Sequence, residues 1–161
     1  MTATTCAYVI GEDGLTGPHA DAWTGLQRVQ RELNRRLEAR LDERYGLSLS
    51  ALELLGRLAA SGRRRRRLAR LAEDVELSLS RVSRIVDTLE RRGLVERRPC
   101  AEDARATEAC LTDVGLALVR EAQAAHLADV QLHFFDRLTG AELDTLGDVF
   151  GRLANEPGAA V

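Results

Sequence analysis

Arg81 and Arg84 stand three residues apart with Ser80 and Ser83 on the polar face of a predicted helix, a set suited to recognition rather than to bond making. A guanidinium presents a planar fork of donors that grips guanine O6 and N7 bidentately. Ser78 is placed to cap this helix, so Leu79 to Arg84 fill its first turns, where side chains and orphan N–H groups face whatever the helix abuts. Farther on, Arg105 follows Asp103 by two residues at the tip of a charged hairpin, which on its chemistry alone is a surface ion pair of small worth. Residues that break bonds are poorly arrayed. No Gly-rich phosphate loop, nucleophile elbow or metal motif is present, and His19, His126 and His133 have no attached acid or nucleophile, so an enzyme is not expected. His126 and His133 lie seven apart on one helical face, but zinc wants more ligands, and packing or hydrogen bonding is the better reading.

The elements that must position these groups run from Leu68 to Leu111 as helix, tight turn, second helix and two-stranded ribbon. Val82, Ile85, Val86 and Leu89 recur at i, i+3, i+4 and i+7, forming one buried stripe preceded by Leu77 in the turn. Arg92-Gly93 ends the helix, because glycine accepts the left-handed cap conformation, and Leu94-Val95 starts a strand. An ordinary amphipathic surface helix with a basic face is the alternative for this segment taken alone. The order of the flanking elements favours a winged helix-turn-helix.

The run LAEDVELSLSRVSRIVDTLERRGLVERRP resembles the MarR family of bacterial transcriptional regulators, and Asp103-Ala104-Arg105 followed by Leu111-Thr112-Asp113-Val114-Gly115 is similar to that family's wing and next helix. The resemblance spans about Leu47 to Gly115 and extends more loosely to both ends. It implies a homodimer on a double-stranded DNA operator. The recognition helix would read the major groove through Ser80, Arg81, Ser83 and Arg84, Arg105 would enter the adjacent minor groove braced by Asp103, and Arg98 is counted among the DNA contacts. Regulation by a small anionic or aromatic effector, or by cysteine oxidation, is also implied. The chain departs from the pattern at Ala69, where a capping Ser or Thr is usual, and at Arg70 beside it. Just before them Arg63 to Arg67 form a positive run that the dipole of a helix N-terminus disfavours; it reads as a solvated loop or short first strand, with a phosphate clamp as the alternative.

Charge is unevenly distributed. The 161 residues hold 23 basic and 25 acidic side chains, for a net −2, yet Arg57 to Arg98 carry 13 arginines against six acids. A basic centre between acidic ends fits a DNA reader with a separate oligomerisation module. All basic residues are Arg and none is Lys, which reflects a GC-rich genome more than a binding requirement.

The expected fold is mainly α with a small β-hairpin wing (α+β): a winged helix-turn-helix with N- and C-terminal dimerisation helices. The division is a flexible arm over 1–18, a helical dimerisation region over 19–47 and 113–155, the DNA-binding domain over 48–112, and a tail over 156–161. His19 to Tyr45 reads as a helix stopped by Gly46. Ser50 to Glu53 reads as a capping box for a helix ended by Gly62, Thr112 as the cap of a helix through about Phe135, and Thr139 to Glu142 as a second capping box. Leu26, Val29, Leu33, Val130, Phe134, Leu143, Leu146 and Phe150 supply more apolar surface than one small winged helix covers, so the end helices of two chains are expected to interleave. Monomeric packing is the alternative. A dimer would hold its two recognition helices about 34 Å apart over a near-palindromic site.

Trp23 reads as core or as a wall of an effector cleft; with the N-terminal extension it is similar to the urate-responsive branch of the family. If Val95 opposes Leu111, Cys100 falls near Ala106 and Cys110 near Glu96, too far apart for a cross-strand disulfide, while Cys6 lies in the arm. Arg97 and Arg98 would lower a neighbouring thiol's pKa, which keeps a redox-sensing regulator open. No run of about 18 apolar residues is present, and the N-terminal 18 lack a signal-peptide pattern, so a bacterial cytoplasmic, nucleoid-associated protein without membrane contact or cofactor is expected. The reading is a ligand-released regulator, most simply a repressor; the competing one is a winged helix whose basic face binds an acidic protein.

Overall fold

The computed structural model describes residues 14–100 and 106–154. The element order is α1 (Gly17–Tyr45), α2 (Leu49–Ala60), β1 (Arg65–Arg67), α3 (Leu68–Asp74), α4 (Leu79–Arg91), β2 (Val95–Pro99), β3 (Thr107–Leu111), α5 (Asp113–His133), a 3-10 turn (Phe135–Arg137) and α6 (Gly140–Ala154). The chain is therefore mainly helical with a small antiparallel sheet, a winged helix-turn-helix. Two compact units divide between Arg36 and Leu37. Among the described residues no helix is long and apolar enough to cross a membrane.

The core of the second unit gathers Leu54, Leu55 and Leu58 of α2, Leu71 of α3, Val82, Val86 and Leu89 of α4, Val95 and Ala109 of the sheet, and Val119 and Ala122 of α5. The α4 stripe is thus the one its spacing predicts, with Ile85 packed at its margin. The sheet runs β1-β3-β2, with Val95 opposite Leu111, Glu96 opposite Cys110 and Arg97 opposite Ala109. Side chains alternate across a strand, so Arg97 shares the face of core residues Val95 and Ala109, whereas Glu96, Arg98 and Cys110 face the other way.

The helix ends correct several sequence expectations. α2 is capped by Ser48, whose Oγ accepts from the Ala51 N–H at 3.1 Å, not by Ser50, which lies inside the helix; it ends at Ser61 rather than Gly62. The cap position of α3 is Arg67, not Ala69, and its side chain makes no capping bond. The arginine run is the expected short first strand over Arg65–Arg67, which leads directly into that helix, with Arg63 and Arg64 in the turn before it. Arg65, Arg66 and Arg67 pair in register with Cys110, Ala109 and Glu108 of β3, so the backbone groups of this edge strand that face β3 are held in a ladder. Like-charge crowding is relieved by Arg64 on Asp113 at 2.7 Å, Arg66 on Asp74 at 2.5 Å and Arg65 on Glu108 at 3.7 Å. α5 stops at His133, short of Phe135, because the backbone bends at Phe134 into the 3-10 turn. Thr112 caps α5 through the Gly115 N–H at 2.9 Å, and Thr139 with Glu142 forms the reciprocal box at the start of α6.

One buried charge was not foreseen. Asp129 of α5 is 7% exposed and meets Arg40 of α1 at 2.7 Å, with Arg44 at 3.9 Å. A buried carboxylate survives only when paired, so this contact fixes the C-terminal half of α1 on α5.

Candidate nucleic-acid interface

The turn between α3 and α4 is tight. Val75, the last residue before it, is buried, and Glu76 takes φ of +51°, a left-handed conformation that side chains other than glycine rarely adopt. α4 then opens on Ser78, whose Oγ accepts from the Arg81 N–H at 3.3 Å. With the apolar stripe of α4 turned to the core, Leu79, Ser80, Arg81 and Arg84 remain exposed and Ser83 half-buried. Among the described residues no carboxylate pairs with Arg81 or Arg84. Most other arginines of the basic centre differ: Arg57 is held by Glu53, Arg70 by Glu73 and Arg98 by Glu96. Of the three α4 arginines without a carboxylate partner among the described residues, Arg81 and Arg84 lie in its first two turns and Arg91 at its end, where it donates to the Asp87 carbonyl and Thr88 Oγ1.

Two further arginines hold α4 in place. Arg97 reaches from β2 across the core-facing side of the sheet, and its Nη2 donates to the Ser83 carbonyl at 2.9 Å and Ser83 Oγ at 3.0 Å and pairs with Asp87 at 2.7 Å. Its backbone N–H donates to Glu90 at 2.9 Å. At the other end Arg92 donates from Nη1 to the Gly46 carbonyl and from Nη2 to the Tyr45 carbonyl, each at 2.6 Å, closing the C-terminus of α1. Gly93 at φ +70° turns the chain into β2. α4 is thus tied at its middle to the wing and at its end to α1. Sequence reasoning gave Arg97 and Arg92 no such role, although strand alternation from the buried Val95 would have put Arg97 on the α4 side.

The same alternation separates Arg98 from the α4 group. Its guanidinium lies on the outer sheet face, 2.7 Å from Glu96. Asp103 and Arg105, the expected wing contacts, lie outside the described residues, as does Cys6. Cys100 is buried and Cys110 half-buried, both as free thiols, and Cys100 N–H meets the Ala106 carbonyl at 2.9 Å. Burial pushes the Cys110 thiol up, outweighing the opposite pull of Arg98 and Arg65, so the expected lowering by neighbouring arginines is not found there.

The residues expected to dimerise fall on helices with little cover. In the first unit Leu26 and Val29 are 46% and 52% exposed and Leu33 is half-buried; Trp23 is half-buried on the same helix. In the second, Val130, Phe134, Leu143 and Leu146 are half-buried, Phe150 is exposed, and no described residue of α6 is buried.

A profile of the MarR family matches residues 45–106. AbsC, a MarR family transcriptional regulator from Streptomyces coelicolor, is 33% identical over 87% of this chain and 94% of its own, with a TM-score of 0.78. Sco3205, a MarR family transcriptional regulator from the same organism solved in complex with DNA, is 32% identical over 91% and 93%, with a TM-score of 0.80. Wild-type MarR of E. coli, at 20% identity over 81% and 95% and a TM-score of 0.69, shares the fold. No curated protein sequence matches. The chain belongs to the MarR family of transcriptional regulators.

Proposed function

We propose that this protein is a homodimeric, sequence-specific DNA-binding regulator, most simply a repressor, whose two α4 helices read a near-palindromic operator and whose grip is released by a small anionic or aromatic effector. The observation that carries the reading is the pair Arg81 and Arg84, exposed at the start of a capped helix with no carboxylate among the described residues to neutralise them. Such guanidiniums are free to take guanine edges or phosphates. Ser80 and Ser83 flank them; the Ser83 hydroxyl accepts from Arg97 and keeps its own proton to donate. Arg105, with Asp103, is assigned to the minor groove on the strength of the family likeness. Arg98 is left out of the base-reading set because its face of the sheet is the outer one. Support for a DNA ligand also comes from Sco3205, which was solved on DNA.

The homodimer is supported by apolar surface left open on each unit: Leu26 and Val29 in one, Leu127, Leu132, Phe135, Phe150 and Leu153 in the other. A second copy is the simplest cover for it. Trp23 remains the candidate wall of an effector site. The test is equilibrium binding to operator and scrambled duplexes across a salt series, with sedimentation to give the stoichiometry. A dimer per duplex, a steep fall of log K with log salt and strong discrimination are expected. A monomer that binds both duplexes equally contradicts the proposal.

A further inference from the structure

The outer face of the wing sheet, opposite the face that packs on α4, carries an open depression. Its volume is about 540 Å³, and it lies where β1, β2, β3 and the start of α5 meet. Arg63, Arg64, Arg65 and Arg98 line it against Glu96 and Asp113, and with Glu108 beside Arg65 the local excess is one positive charge. Cross-strand register explains the gathering: Arg65, Cys110 and Glu96 lie side by side in one row, and Arg98 and Glu108 are opposite each other in the next.

From this geometry we propose that the cavity is a binding site for a small polyanion carrying at least two oxyanion groups, such as a diphosphate. Each guanidinium has five donors. Arg64 uses Nη1 on Asp113, Arg98 uses Nε and Nη2 on Glu96, and Arg65 makes only a long contact to Glu108, so most donors stay available. Arg63 has no carboxylate partner among the described residues. Cys110 lies in the lining, and with its pKa raised it is a neutral thiol that adds no repelling charge. Two sources could supply such oxyanions, a free metabolite and a duplex backbone. The free anion is favoured, because the cavity is at the end of the sheet away from the hairpin tip and on the face turned away from α4, and the Glu96 and Asp113 carboxylates would repel a continuous polyanion.

The site goes beyond the regulatory reading and its test needs no operator. Cys110 reports on occupancy: its alkylation by the neutral reagent N-ethylmaleimide is followed by peptide mass spectrometry on the full chain. Pyrophosphate at about ten times its Kd should slow the reaction about tenfold. Sodium chloride of equal ionic strength should not. Arg63→Ala and Arg98→Ala should lose the protection while keeping the wild-type thermal transition. Glu96→Gln, which removes a competing carboxylate, should give protection at lower pyrophosphate, a gain that misfolding does not produce. Equal protection by chloride, or undiminished protection in both arginine variants, overturns the proposal. Protection by a random-sequence duplex as strong as by pyrophosphate overturns it in favour of the DNA backbone.

Discussion

Arg97 on β2 and Ser83 on α4 are joined twice through one nitrogen, the Arg97 Nη2 lying 2.9 Å from the Ser83 carbonyl oxygen and 3.0 Å from its Oγ. With Asp87 and Glu90 also engaged, β2 is tied to α4 by several polar contacts of one residue. Arg97→Ala should cost about 1–2 kcal/mol, because the bonds are charge-assisted but the Arg97 side chain is 28% exposed and water replaces part of them. DNA affinity should fall while the salt slope stays unchanged, since the Arg97 guanidinium is engaged with Ser83 and Asp87 of α4. A reduced slope would mean that Arg97 contacts DNA directly.

Gly115 sits under the first turn of α5. A Cβ there would run into the Leu94 carbonyl oxygen and approach Leu111 Cδ1 at 2.8 Å. Because backbone cannot step aside as a side chain can, Gly115→Ala should destabilise by about 3 kcal/mol in chemical denaturation. A loss below about 1 kcal/mol would show that α5 and the strand start separate easily.

The left-handed Glu76 in the helix-turn-helix corner is strained by its Cβ. Glu76→Gly removes that strain but adds freedom to the unfolded chain, so a net gain of about 0.5–1 kcal/mol is expected. Denaturant midpoints of the two proteins check it, with a destabilised variant contradicting the assigned turn.

Glu142 has its carboxyl held below the ordinary value of 4.5, first by the Thr139 backbone N–H and then by its hydroxyl. A carboxylate whose folded pKa is depressed stabilises fully above its unfolded pKa, and the contribution is lost as pH falls through the folded one. Helix content read by circular dichroism should therefore drop less between neutral and strongly acid pH in Glu142→Gln than in wild type. An equal drop would place the acid sensitivity elsewhere, for example at Glu32, which Arg35 and Arg36 hold at about 2.

Much of this was legible in the chain itself. The α4 stripe and the Ser78, Thr112 and Thr139 caps follow from local rules of period and capping that need no tertiary information, and the register supposed for the hairpin, Val95 opposite Leu111, is the one found. The capping-box pattern singled out Ser50 because Glu53 follows it by three, whereas Ser48, which caps the helix, has Ala51 at that position. Contacts between distant residues carried no local signal: Asp129 looks like any helical acid until α1 brings Arg40 to it, and Arg92 looks like any C-terminal arginine until Tyr45 and Gly46 lie beneath it. The arginine run could be read as loop or short strand but not resolved further, because the acids that pair with Arg64, Arg65 and Arg66 come from three separate elements.

The most direct measurement is the affinity of the double variant Arg81→Ala, Arg84→Ala for operator and scrambled duplexes, alongside its sedimentation and thermal transition. With the dimer and fold intact, discrimination between the two duplexes should collapse by at least about tenfold, as expected when bidentate base contacts are removed. An unchanged sequence preference would show that these two arginines of α4 do not read the DNA.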